Sequence, residues 1–251
     1  MSSLLKSAKS YFHRISANSA LGRRSRDYLR RIIDRSQYRV LSGTTLIGNG
    51  PGAWYMHTPS IRANQDCPIL FSGGAGLGIS FEIAFAQEFH GKVHLYDPSP
   101  TGKHTAEKHS TVAGIQFMPW ALAKHAGTVR MSKPENPQEG SWTLPDGGTS
   151  LVDEFRSVSL VEEIKSKGYT AVDVIKLDIE GFEYEVIDSL LNSDVKIGQI
   201  LLEYHHFFAH INVNQTKSAK KILKNKGYIC YHKRGQDYCY VHSSKILQGI
   251  T

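Results

Sequence analysis

Residues 68–100 read PILFSGGAGLGISFEIAFAQEFHGKVHLYDPSP. A short apolar run, Pro68 to Phe71, ends at the glycine-rich turn Ser72-Gly73-Gly74-Ala75-Gly76-Leu77-Gly78. Phe81, Ile83, Ala84, Phe85 and Phe89 then recur at helical spacing until Gly91 stops the helix. Val93, Leu95 and Tyr96 form a second strand, closed by Asp97 and the turn Pro98-Ser99-Pro100. Strand, glycine turn, helix and parallel strand make half of a nucleotide-binding α/β sheet. The glycines let the backbone pass close to a ligand. Asp97 follows Gly74 by 23 residues, near the ~20-residue spacing at which a carboxylate reaches ribose hydroxyls.

The pattern predicts an adenosine-containing ligand. A dinucleotide site uses G-x-G-x-x-G to seat a pyrophosphate on a helix N-terminus. Here Ile79 stands where that motif has its last glycine, so a cofactor without a pyrophosphate is expected, and S-adenosylmethionine fits. Just past the third strand of such a sheet lie the residues that flank adenine, which points to Trp120 and Ala121.

Working outward, 251 residues suffice for one α/β domain with a sizeable core, and 40% apolar with 21% charged residues is ordinary for a globular chain. No run of 18 apolar residues is present to span a membrane, and the N-terminus lacks the apolar stretch of a secretory signal. Cys67, Cys230 and Cys239 have no metal-ligand spacing and read as reduced thiols, so a cytoplasmic location is expected. The net charge of +7 is unevenly spread. Residues 1–40 carry ten Lys/Arg and two Asp/Glu, whereas residues 41–251 carry 20 and 21. A neutral body argues against an enzyme with a phosphate-tracking nucleic-acid groove. The chain therefore divides into a basic helical arm, 1–40, and a catalytic domain, 41–251. Two readings of the arm are open: helices packed on the domain with a solvated basic face, or an arm in peripheral contact with an anionic membrane surface or acidic partner.

Further strands are expected at 115–118, 127–132, 151–157, 172–177 and 197–202, with a terminal hairpin at 228–231 and 238–241. A capping box, Ser159 with Glu162, opens a helix, and another helix is expected over 217–225. Residues 134–148 form a polar loop, carrying Ser141 and Trp142, long enough to act in binding. Trp54 and Tyr55 read equally well as a ligand cover or a small satellite core. In an open α/β sheet, ligands sit at the carboxyl ends of the strands. Asp97, Trp120, Asp178, Glu203 and His205 all fall at such ends.

The segment Val174-Ile-Lys-Leu-Asp-Ile-Glu-Gly-Phe-Glu-Tyr-Glu-Val-Ile187 resembles the signature of the FkbM family of S-adenosylmethionine-dependent methyltransferases. The glycine turn with Ile79-Ser80-Phe81, the Asp97–Pro100 turn, Pro134-Glu-Asn-Pro137 and Leu202-Glu-Tyr-His205 resemble it in the same order. The resemblance spans about residues 45–242 and leaves out the basic arm. It implies a class I methyltransferase fold: a Rossmann-like, mostly parallel seven-stranded sheet with helices on both faces, whose C-terminal hairpin supplies the antiparallel strand. It also implies methyl transfer, usually to a hydroxyl of a sugar, glycolipid or natural product. Where many such enzymes carry an acidic residue before the glycine turn, this chain has Ser72. Either Ser72 with backbone carbonyls, or Asp178, then holds the cofactor's amine. The candidate cofactor contacts are Ser72, Gly73, Gly74, Ala75, Gly76, Ser80, Asp97, Pro98, Trp120, Ala121 and Asp178.

Methyl transfer to a hydroxyl needs a proton acceptor near the methyl. His205 is the expected base, because its unperturbed pKa suits neutral pH. Glu203, two residues earlier on the same strand face, is expected to orient it, and Asp178 to face the methyl or the hydroxyl. Asp178, Glu203 and His205 are alternatively a Mg²⁺ site. Glu180 reads as a cap on the following helix. Tyr204 to Phe208 and His210 suggest a face that stacks on a small-molecule or glycan acceptor. Two other classes stay open: a nicotinamide oxidoreductase, for which no hydride-site pair is found, and a non-catalytic protein that keeps the fold. Oligomeric state is not readable.

Overall fold

The computed structural model describes residues 38–62, 67–136, 140–145, 151–208 and 210–247. The basic arm thus lies outside the described residues except for its last three. Two short strands, β1 (Thr44–Ile47) and β2 (Trp54–His57), pair antiparallel. After a one-turn helix at Pro59–Arg62 come β3 (Ile69–Gly73), helix α1 (Ser80–Glu88), β4 (Lys92–Tyr96), α2 (Pro100–Lys108) and β5 (Ile115–Met118). Next are β6 (Ala121–Ala123), β7 (Gly127–Ser132), β8 (Val152–Ser159), α3 (Leu160–Ser166) and β9 (Ala171–Leu177). The chain closes with α4 (Glu183–Leu191), β10 (Lys196–Glu203), α5 (Val213–Asn225), β11 (Tyr228–Arg234), β12 (Asp237–His242) and α6 (Ser243–Leu247). Among the described residues no helix is long and apolar enough to cross a membrane.

The main sheet has seven strands in the order β11-β12-β10-β9-β3-β4-β5. The five from β10 to β5 are parallel, and β12 inserts antiparallel between β10 and β11. This is the class I methyltransferase arrangement that the resemblance implied. Both faces are covered, so the central strands are apolar on both sides, as parallel strands must be. Phe71, Ile175, Ile200 and Leu202 pack on one face with Ile164 and with Val186, Ile187 and Leu190 of α4. Leu70, Val93, Val174 and Leu201 pack on the other with Phe81 and Phe85 of α1 and with Trp54 and Met56 of β2. Gln199 ties β2 to the sheet: its Oε1 accepts from the His57 amide at 3.0 Å and the Tyr231 hydroxyl at 2.7 Å, and its Nε2 donates to the His57 carbonyl at 3.0 Å.

The sequence reading did not assign the strands at 127–132 and 151–157 to a sheet, and they lie outside the main one. With β6 they form a separate three-stranded sheet, order β6-β8-β7, placed over the carboxyl edge. Helix α5 begins at Val213, not Lys217, because Asn212 and Gln215 form a capping box that opens it a turn earlier. The cap at Ser159 is as expected: its hydroxyl accepts from the Glu162 amide.

The crossing from β3 into the glycine turn is fixed by backbone bonds. The Gly74 amide donates to the Tyr96 carbonyl at 2.9 Å, and the Asp178 amide donates to the Gly73 carbonyl at 3.1 Å. Gly74 has φ +90° and Gly76 has φ +46°, in the region that L side chains rarely adopt. A Cβ on Gly74 would collide with the Asp178 carbonyl, whereas one on Gly76 would meet nothing within 4 Å. Gly74→Ala should therefore cost roughly 3 kcal/mol or more, and Gly76→Ala only about 1 kcal/mol of left-handed strain. Urea unfolding of the two variants checks this, and equal losses would refute it.

Candidate active site

A cavity of about 230 Å³ opens at the carboxyl ends of β3, β4 and β9, where the strand order reverses direction. The glycine turn, Gly74 to Gly78, forms one side, and Asp97, Pro98 and Ser99 another. Ala121, Leu122, Met131 and Trp142 come from the second sheet and the polar loop. Lys176, Asp178, Ile179 and Glu180 close the remaining wall, beside Trp54 and Phe182.

Of the expected cofactor contacts, Gly74, Ala75, Gly76, Asp97, Pro98, Ala121 and Asp178 line this cavity. Ser72, Gly73, Ser80 and Trp120 do not. Ser72 is fully buried and donates to Glu82 Oε1 at 2.6 Å, on the α1 face of the sheet. Gly73 lies within β3 against Ile179, Leu122 and Leu177. The Ser80 hydroxyl donates to the Asn49 carbonyl at 2.6 Å and accepts from its amide. Trp120 is stacked under the Arg156 guanidinium, 4.0 Å from its ring centroid.

Asp97 holds the turn itself. Its Oδ2 accepts from the Ala75 and Gly76 amides at 2.8 and 3.0 Å, and its Oδ1 accepts from Ser99 at 2.8 Å. A carboxylate has about four lone-pair positions, so capacity remains for a ribose hydroxyl. Ser141 and Trp142 sit in the wall as the loop reading suggested, and Trp142 packs edge-on against Phe155. Trp54 lines the cavity, while Tyr55 stacks on His232 at 3.7 Å.

Lys176 escaped the sequence reading. It is 3% exposed and lines the cavity. Its Nζ donates to the Gly74 carbonyl at 2.8 Å and pairs with Glu82 Oε1 at 3.2 Å. Burial opposes its charge, but Glu82 and Asp178 outweigh that and its pKa is raised. The signal was present: a lysine inside an otherwise apolar strand must have a buried partner.

Beyond Asp178 lies a buried acidic cluster around His205. The His205 ring is 2% exposed. Its Nδ1 meets Glu183 Oε1 at 3.2 Å, and its Nε2 meets Glu180 Oε2 at 3.2 Å and Asp178 Oδ1 at 3.8 Å. Burial lowers its pKa, but the hydrogen bond and charge of Glu183, with Glu180 and Asp178, push it up to about 9. His205 is thus an imidazolium at neutral pH and does not fit the expected role of base. The carboxylate that orients it is Glu183, which also accepts from the His205 amide at 2.9 Å. Glu183 Oε2 also accepts from the Gly181 amide at 2.8 Å just before α4, and that helix has no side-chain cap, so Glu180 does not play the part expected of it. Glu180 instead lines the cavity with φ +53°, a strained backbone for a non-glycine residue.

Glu203 is hydrogen-bonded to Asp178, and burial together with the Asp178 charge pushes its pKa up to about 8. Glu203 is therefore protonated at neutral pH and holds the Asp178 carboxylate through that hydrogen bond. Asp178, Glu203 and His205 place ligand atoms within 4.8 Å of one another. Without a metal, the His205 imidazolium supplies the positive charge there; a divalent cation on this set would have to displace its proton. Tyr204 is fully buried and shares the core with Tyr238 and Tyr240, whereas Phe207 is 57% exposed beside Phe208.

His205 makes stability depend on pH. Its folded pKa, about 9, lies above the ordinary 6.5. The stabilisation is fully present below pH 6.5 and is lost as pH rises through about 9, and it amounts to roughly 3 kcal/mol. The wild type should lose melting temperature between pH 6.5 and 9, with a shallower slope in His205→Gln; identical slopes would remove the imidazolium assignment.

Comparison with known proteins points to methyltransferases. The family model described as the methyltransferase FkbM domain matches residues 121–230, which include Lys176, Asp178, Glu203 and His205. The human protein named "Probable methyltransferase-like protein 24" is 26% identical over 179 residues, covering 67% of this chain and 43% of its own length. The chain thus spans less than half of that relative. Among solved structures, the METTL16 methyltransferase domain gives a TM-score of 0.42 at 11% identity, covering 73% of this chain and 63% of that one. The Methanococcus jannaschii fibrillarin pre-rRNA processing protein gives 0.40 at 13% identity, covering 81% and 86%. The fold assignment rests on the strand order, not on these superpositions. The stretch matched by the family model contains the signature at 174–187, so over residues 121–230 the chain is similar to the methyltransferase FkbM domain.

Proposed function

We propose that the protein transfers a methyl group from S-adenosylmethionine to a hydroxyl oxygen of a small-molecule or glycan acceptor. The observation that carries this reading is the cavity at the strand-order switch, bounded by the glycine turn on one side and by Asp178 on the other. The fit to the cofactor rests on the turn: Gly76 leaves open space where a side chain would stand, and Asp97 holds the turn beside it.

The cofactor supplies an activated methyl carbon, displaced in line from sulfur. The rest belongs to the chain. Asp97 presents its remaining lone pair to the ribose. Ala121, Leu122, Met131 and Trp142 offer an apolar wall to adenine. With Ser72 turned toward Glu82, Asp178 and Glu180 are the anions that face the cofactor's ammonium. Asp178, the member of the Asp178–Glu203 pair that lines the cavity, accepts the hydroxyl proton as general base. The His205 imidazolium keeps these carboxylates in place without taking the proton itself.

Calorimetric titration of S-adenosylmethionine, followed by transfer of a labelled methyl to a panel of sugars and hydroxylated metabolites, tests the reading. Saturable binding is expected. Asp178→Asn should keep the fold and lower turnover by about 100-fold or more. A chelator should leave turnover unchanged. Failure of the intact protein to bind the cofactor would overturn the proposal, and transfer only to amines would overturn its oxygen half.

A further inference from the structure

We infer that Lys176 binds the α-carboxylate of the cofactor's amino-acid tail. The inference rests on the S-adenosylmethionine reading above and adds the group that recognises one end of that molecule.

Three observations support it. First, among the described residues that line the cavity, Lys176 is the one cation, while Asp97, Asp178 and Glu180 are anions. A ligand carrying a carboxylate is repelled by every other charged side chain there. Second, the ammonium has three N–H groups, and its two hydrogen-bond acceptors are the Gly74 carbonyl at 2.8 Å and Glu82 Oε1 at 3.2 Å. One donor is left for a ligand in the cavity it lines. The same Glu82 oxygen also accepts from the Ser72 hydroxyl at 2.6 Å, so Lys176 shares its counter-ion. Third, the position is apt. Lys176 is bonded to the carbonyl of the turn glycine and stands on β9, two residues before Asp178, which directly follows that strand. A cation and an anion on one cavity wall match a zwitterion, and an α-amino acid group is one.

A purely structural lysine would also tie the turn to α1. That role predicts loss of stability on substitution but no sensitivity to the ligand's carboxylate. Burying a charged amine only to hold a carbonyl is a costly way to make one hydrogen bond, because the desolvation is offset only by a well-placed partner.

The test compares S-adenosylmethionine with its decarboxylated form, which keeps the adenosine, the sulfonium and the amine. Calorimetry on the wild type should show S-adenosylmethionine binding roughly 10- to 100-fold more tightly, the range for a hydrogen bond between charged groups. In Lys176→Met combined with Glu82→Gln, which removes both buried charges together, the ratio should fall close to one. If that variant does not fold, Lys176→Gln, which keeps a donor for the Gly74 carbonyl, takes its place in the same comparison. Equal affinity of the wild type for the two compounds overturns the inference. So does a ratio that survives substitution of Lys176. Wild-type protein that binds neither compound overturns the cofactor reading instead, and this inference falls with it.

Discussion

The approach of Gly74 to the Asp178 carbonyl is the constraint on which the site depends. It brings the glycine turn after β3 against the segment after β9, two stretches about a hundred residues apart in sequence. No side chain fits at that contact. Because the backbones touch, Lys176 reaches the Gly74 carbonyl, and Asp97 reaches the turn amides from the far side. The turn is thus held by a cation from one strand and an anion from another. Neither contact would form if the two strands were a residue out of register, since a one-residue slip reverses the face of every side chain.

The second organising feature is a surplus of negative charge. Asp178, Glu180, Glu183, Glu203 and Asp237 lie close enough to perturb one another, and the raised pKa values of Glu180, Glu203 and Asp237, driven first by burial and then by neighbouring carboxylates, record it. Like charges at such distances cannot all ionise unless a cation joins them. His205 is that cation for the inner members, leaving Asp178 and Glu180 at the cavity wall. An acidic wall favours a ligand with positive charge, and S-adenosylmethionine bears it on sulfur and on nitrogen. On the proposed function the product of transfer, having lost the sulfonium charge, would be held less firmly by the same wall than the substrate.

Much of this was legible in the sequence. The strand–turn–helix–strand unit at 68–100 declared itself through spacing alone, and the strand at 172–177 through its near-continuous apolar run. Polar residues within such runs were harder to read. Ser72 occupies the position where the family often carries an acid, yet alternation in β3 turns it to the α1 face, where Glu82 supplies the carboxylate from another element. Glu183 is one of several acids near a helix start and drew no reading of its own; only the packing of α4 against the end of β10 shows it fully buried on His205. Sequence gives a histidine its ordinary pKa; three carboxylates drawn from one loop and one helix reverse its role. The three-stranded sheet was missed for a related reason: strand propensity marks β7 and β8 but does not say which sheet they join.

Asp97 shows how closely binding and folding are joined here. The acid at the end of the second strand is conventionally assigned to the ribose, and its removal is read as loss of a ligand contact. In this chain its two oxygens take three backbone N–H bonds, two of them from the turn that must cradle the cofactor. Its carboxylate also fills the space beside Gly102, so that α2 packs directly against it. Removing the carboxylate would leave three backbone donors unpaired, two of them buried, and loosen the turn before any ribose arrived. Lost affinity on substituting Asp97 would therefore not locate the ribose. A contact can be assigned to the ligand only where the side chain has spare capacity that the fold does not use, and by that criterion Lys176 and Asp178 are better witnesses to what the cavity holds.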